Sequence, residues 1–116
     1  DFDDSIALGS HLIDIHSPDG THKQIRQKMP PFQIPYRCLV PKNIDNLLIA
    51  GRPISATHEA HAALRVMGTA MALGQAAGIA AAIAFEKHTK PSEVDVSIVQ
   101  SELQHMNAPF KTGIYE

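Results

Sequence analysis

The hydrophobic pattern of this chain changes period along its length. Between Ser5 and Ile15, the apolar Ile13 and Ile15 alternate with Asp14 and His16, and a period of two with one wet face predicts a strand. Ser17-Pro18-Asp19-Gly20 and Met29-Pro30-Pro31 mark breaks. Gln33 to Val40 is expected to be mostly extended, because Pro35 and Pro41 push the residues before them away from helix. Leu47-Leu48-Ile49-Ala50 is a continuous apolar run between Asp45-Asn46 and Gly51, which predicts a strand buried on both faces. From Val66 to Phe85 come twenty residues without a charge, and they predict one long helix. Lys90-Pro91-Ser92 ends that run. Asp95 is placed to cap a last helix with Val99, Leu103 and Met106 at i, i+4, i+7 spacing, stopped by Asn107 to Pro109.

The expected fold class is therefore an α/β or α+β fragment: extended strands first, a buried strand, a long Ala/Gly-rich helix and a short C-terminal helix. Three spans follow, with strands and loops in 1–45, the strand, loop and long helix in 46–90, and the last helix and tail in 91–116.

The long helix is unusual in what it is made of. It contains Gly68, Gly74, Gly78 and alanines at 70, 72, 76, 77, 80, 81, 82 and 84. Each helical glycine costs roughly 1 kcal/mol relative to alanine, so three of them point to a demand for thin walls. Gly74 and Gly78 form a small-xxx-small face. Gly68 falls near the first turn, where unpaired amides and the positive end of the dipole lie. The length would suit a membrane span. The Ala/Gly composition and the polar Thr69 and Gln75 favour the central helix of a soluble protein.

Composition narrows the function classes. At 44% hydrophobic and 19% charged, with a net charge of -2, the chain lacks the basic footprint of a nucleic-acid or membrane-surface binder. With aromatics at only 5% and many alanines, it is expected to lean on neighbouring polypeptide or a second copy. Its one cysteine, Cys38, has no internal disulfide partner and reads as a small core residue.

Several ordered blocks carry a resemblance. They are Ile34-Pro35-Tyr36-Arg37-Cys38-Leu39-Val40-Pro41-Lys42, Asp45-Asn46-Leu47-Leu48-Ile49-Ala50-Gly51-Arg52, Ile54-Ser55-Ala56-Thr57-His58-Glu59-Ala60, and the run from Arg65 to Gly78. Together they resemble the C-terminal part of the FAD-dependent oxidoreductase family, of the glutathione-reductase-like group. Asp14-Ile15-His16, Val94-Asp95 and Leu103 look like its flanking pattern, so the likeness covers most of the chain.

The resemblance implies FAD as cofactor and a small-molecule substrate. It implies that Gly51 and Arg52 approach the ribityl or diphosphate part, and that Met67, Gly68, Thr69, Ala70 and Met71 face the pyrimidine edge of the flavin. Reduction places negative charge on that edge, and a helix N-terminus favours an anion by about 0.3 to 1 kcal/mol, roughly 20 mV for a two-electron couple at most. Where many relatives carry an acidic residue after the strand glycine, this chain has Arg52, whose planar fork suits a phosphate. The dinucleotide fingerprint G-x-G-x-x-G is absent, and Asp1 replaces an initiator methionine, so the chain is expected to be a C-terminal fragment that depends on an N-terminal part of the same polypeptide.

The likeness places His58, Glu59, His61 and Arg65 beside the reactive face of the flavin. His58 is a candidate proton donor or acceptor, and Arg65 a candidate anchor for a carboxylate or carbonyl; these two are the expected catalytic residues. His58 and His61 are three apart, not four as in the zincin pattern, and no third ligand stands at a recognisable spacing, so no metal is expected. His11, His16, His22, His88 and His105 read as surface or structural. Two other classes remain: a helical assembly fragment that pairs as a homo-oligomer through the Ala/Gly face, and a hydrolase or lyase acting on polysaccharide.

Overall fold

The structure is a computed structural model that describes residues 1–16, 19 and 25–113. The turn expected at 17–20 falls mostly outside the described residues, as does His22. Four short strands form two antiparallel pairs. β1 (Ser5–Gly9) pairs with β4 (Phe32–Pro35), and β2 (Ile13–Ile15) with β3 (Ile25–Gln27). Two helices, α1 (His58–Leu64) and α2 (Met67–Lys87), follow, and α3 (Val96–His105) comes last. The mixed α and β class expected from the pattern is what the chain adopts.

β1 is the element on which the helices rest, packing against both α2 and α3. Its register with β4 slips between Ser5 and Ala7, and Ser5, Ile6 and Ala7 are all buried in succession. At the far end Gly9 faces Phe32, whose ring occupies the space a Cβ would need. Along α2 the buried residues Thr69, Leu73, Ala76, Ala80, Ile83 and Ala84 recur at helical spacing. Ala76 and Ala80 are wholly buried, and their small side chains let this helix lie close to its neighbours. The larger burial energy comes from Ile6, Ile34, Leu39, Leu73, Val99 and Leu103, worth roughly 1.5–3 kcal/mol each for the bigger side chains.

Local signals set the helix ends, those of α3 as the sequence predicts. Asp95 caps α3, its carboxylate accepting from the Ser97 amide at 3.0 Å and the Ser97 hydroxyl at 2.6 Å. His88 closes α2 in the left-handed region at φ 51°, and the Thr89 amide donates back to the Ala84 carbonyl at 3.0 Å. Asn107, with φ 53°, ends α3. Val99 and Leu103 are buried as expected, but Met106 lies just past the last turn and is exposed.

Two expectations are corrected. Leu47–Ala50 is extended but is not a strand, and it is not buried on both faces: Leu47 is 43% exposed and the next three residues are half-buried. Such a strand needs ladder partners on its edges. Among the described residues the strands pair only with one another, leaving the segment held by the Ile49 amide on the Leu39 carbonyl at 2.8 Å. The stretch 33–40 is extended only to Pro35, after which Tyr36–Leu39 forms a 3-10 turn. The two prolines constrain Ile34 and Val40, not the four residues between them.

Polar ties fasten the chain ends to β1. Gln100 donates to the carbonyls of Asp3 at 2.7 Å and Ser5 at 2.9 Å, the Ser5 hydroxyl donates to the Phe110 carbonyl, and the Tyr36 hydroxyl donates to the Pro91 carbonyl at 2.7 Å. The core draws on all three sequence spans. The chain is nonetheless spread out, with a radius of gyration of 15.2 Å against about 13 Å for a compact domain of this length.

Burial pushes the Tyr36 phenol up from 10.0 to about 12. The folded state thus holds this proton when the unfolded chain has lost it. Its contribution is intact below pH 10 and declines as pH rises toward about 12. Tyr36→Phe is expected to lower the melting temperature at neutral pH, by the equivalent of about 1 kcal/mol for the lost hydrogen bond, and to flatten the alkaline decline. Thermal melts across that pH range check both effects.

Candidate functional site

The predicted site residues converge where α1 ends and α2 begins. Thr57 starts α1 by accepting from the Ala60 amide at 3.3 Å. Arg65 closes that helix, and the next residue, Val66, opens α2. Two residues therefore make the whole turn, so side chains late in α1 stand beside the amino end of α2.

Gly51 reaches this junction from the preceding loop. Its φ of +85° lies in the left-handed region that favours glycine, and a Cβ there would sit 4.0 Å from that of Ala70. Arg52 is exposed, and its carbonyl lies 2.7 Å from Nε2 of His61. A carbonyl only accepts, so Nε2 carries the hydrogen and Nδ1 is the remaining polar atom of that ring.

The first turn of α2 has open donors. Val66 provides no side-chain cap, and the amides of Met67, Gly68 and Thr69 precede the first intrahelical bond, from the Ala70 amide to the Val66 carbonyl at 3.0 Å. Apart from its chain neighbours and the backbone of α2 itself, nothing among the described residues lies within 4 Å of a Cβ built on Gly68. Met67 and Met71 are 79% and 75% exposed, whereas the Thr69 side chain turns into the core. The five residues thus divide: Met67, Gly68 and Met71 on the open side, Ala70 beside Gly51, and Thr69 inward with only its amide near the helix end.

His58 and Arg65 share a small cavity of about 130 Å³ with His61, Ala62, Asp14, Ile15 and His16. It lies between α1 and β2. The Arg65 guanidinium donates through Nη2 to the Asp14 carbonyl at 2.8 Å, tying the helix to the strand. The Asp14 carboxylate is 3.4 Å from His16 Nε2 and 3.8 Å from Arg26 Nε. Its negative charge is thereby shared between a strand neighbour and a residue of β3. The Arg65 contact is to a neutral carbonyl, so among the described residues no carboxylate pairs with its charge.

Asp14 and His16 were not among the candidates, although Asp14-Ile15-His16 stands out in the family-like flanking pattern. Strand alternation puts Asp14 and His16 on one face, but nothing local indicates that α1 meets that face. Glu59 is exposed and does not line the cavity. No group of three or more His, Cys, Asp or Glu residues is set for a metal among the described residues. Cys38 is half-buried; burial pushes its thiol up, opposed by Arg37 and aided by Asp4, which reduces its thiolate character.

A broader groove of about 520 Å³ runs beside the other half of α2, lined by Leu48, Ala77, Gly78, Ala81, Phe85 and Pro91 among others. Gly74 and Gly78 are exposed, and apart from their chain neighbours and the backbone of α2 itself no atom of the described residues comes within 4 Å of a Cβ at either. By length and composition α2 is apolar enough to cross a membrane, and a third of it is buried within this chain.

Among known proteins, the model of the FAD dependent oxidoreductase family matches residues 1–103. No curated protein matches, and no solved structure does. The match extends from the first strand into α3 and includes every residue that lines the helix junction. The chain belongs to the FAD dependent oxidoreductase family, and FAD is the cofactor of that family.

Proposed function

We propose that this chain supplies the flavin-ring end of a FAD-dependent oxidoreductase, as the C-terminal part of a glutathione-reductase-like flavoprotein. The observation that carries the reading is the uncapped start of α2, where three amides and the room at Gly68 meet the left-handed Gly51. These donors suit the electron-rich pyrimidine edge of a flavin. Met67, Gly68 and Thr69 offer amides to it, Ala70 and Met71 offer surface, and Gly51 with Arg52 lies toward the ribityl or diphosphate part. Bound FAD supplies the two-electron exchange with a small-molecule substrate. His58 and Arg65 stand on the substrate side, one to hold or give a proton and the other to orient an electron-rich group.

The same reading assigns the ADP half of the cofactor to other polypeptide. No G-x-G-x-x-G sequence occurs in the 116 residues, and this half needs a glycine-rich turn at the start of a helix. The open face of α2 gives a second reading some weight. Met67, Met71 and Phe85, all more than 70% exposed, lie on one side of that helix with Gly74 and Gly78. Such a face suits assembly with a second helix.

Gly68→Val tests the first reading. The space around Gly68 predicts little change in the melting temperature, since valine and glycine differ in helix propensity by well under about 1 kcal/mol. Flavin absorbance per protein is expected to fall several-fold in the complete enzyme, because the branched side chain crowds the ring. Unchanged flavin content at unchanged stability refutes the placement. For the second reading, light scattering of the purified chain is expected to give a dimer or larger species that Met71→Glu returns to monomer. A wild-type monomer at high concentration removes it.

A further inference from the structure

We propose that the cavity between α1 and β2 is an oxyanion subsite, which takes the carboxylate or phosphate group of a small molecule through Arg65 and the imidazoles of His16, His58 and His61. Calling that molecule the substrate rests on the oxidoreductase reading above; the binding chemistry does not. Size is the first support. A cavity of about 130 Å³ corresponds to roughly four waters at about 30 Å³ each. That volume suits a carboxylate or phosphate group.

The donor set is the second support. A guanidinium keeps its charge and offers five N–H groups, of which one is given to the Asp14 carbonyl. Three imidazoles border the same small volume: His58 has a ring N–H to offer in either neutral tautomer, whereas His61 and His16, whose Nε2 atoms face the Arg52 carbonyl and the Asp14 carboxylate, offer an Nδ1–H to an anion when the ring is protonated. His61 is held by the Arg52 carbonyl and His16 by the Asp14 carboxylate, so two of the rings are oriented before any ligand arrives. The opposing charge is Asp14, and its two oxygens lie near His16 and Arg26. Among the described residues that line the cavity, Asp14 is the one carboxylate, set against the Arg65 guanidinium and three imidazoles.

Position adds a functional consequence. Arg65 is separated from the first residue of α2 by Val66 alone, so a group held in this cavity stands next to the open amino end of that helix. An anionic tail bound here would leave the rest of a small molecule to extend toward the cofactor side. All four side chains then touch the bound group, His16 and His61 being held in place beforehand by the Asp14 carboxylate and the Arg52 carbonyl.

The test uses the purified complete enzyme, including the polypeptide that holds the ADP half of FAD, and two probes, sodium acetate and sodium phosphate, titrated at constant ionic strength against chloride. Side-chain nitrogen and proton NMR signals of the histidines are expected to shift saturably for His16, His58 and His61, and not for His88 or His105. The stronger probe identifies carboxylate or phosphate as the preferred group. Arg65→Gln is expected to weaken binding about tenfold or more, as for loss of a charge-assisted hydrogen bond. Because that residue also ties α1 to β2, His58→Gln provides a second variant, whose side chain makes no hydrogen bond or ion pair among the described residues, expected to weaken binding several-fold at an unchanged melting temperature. Shifts that never saturate, that chloride reproduces, or that persist undiminished in both variants overturn the subsite. Flavin content is read separately by absorbance. A flavin-loaded protein that ignores both probes defeats the subsite alone, and a colourless protein that binds them defeats the oxidoreductase placement alone.

Discussion

Close approach of α2 to β1 is the constraint on which the remaining structure depends. It is possible because the inward stripe of that helix is mostly small: Ala76, Ala80 and Ala84, with Leu73 and Ile83 as the larger contacts. Small side chains contribute little burial energy of their own, so their effect is geometric. They bring the helix near enough for Ile6 and Ile34 on the strands and Val99 and Leu103 on α3 to close one core around it. A bulkier stripe would lift the helix away and leave these residues with unfilled space.

The same packing fixes the direction of the helix start. With Thr69 and Leu73 turned inward, Met67, Gly68 and Met71 are left facing outward. The Arg65-Val66 link then places α1 beside this end, and the Arg65 bond to Asp14 draws in β2. Two helices adjacent in sequence and a strand far upstream of them are thereby joined at one point. The amides of the first helical turn, the left-handed Gly51 and the histidine-lined cavity occupy neighbouring parts of that junction.

A large part of the surface of α2 remains exposed and apolar, and the chain is more extended than a compact domain of its length. These two facts have one physical origin. Only one face of the helix meets β1 and α3, while its opposite face carries methionine, glycine, alanine and phenylalanine rather than charges. A face of this kind is stable in water only at a cost, and it is suited to contact with another apolar surface.

What the sequence determined by itself was the local structure. Helix α2 follows from twenty uncharged residues, the start of α3 from the Asp95 carboxylate within reach of Ser97, and its end from Asn107. The candidate residues at the helix junction were also legible, because they lie close together along the chain in family-like blocks. Tertiary structure alone decided two other matters. Leu47–Ala50 became an extended segment and not a strand, because apolar character cannot provide the ladder partners that a buried strand needs. Asp14 and His16 joined His58, His61 and Arg65 because α1 packs against β2 across fifty-one residues of separation between Arg65 and Asp14. Caps and helical periods act within a few residues and leave a mark in the order of side chains; contacts between distant elements depend on how the whole core closes, and that has no local signature.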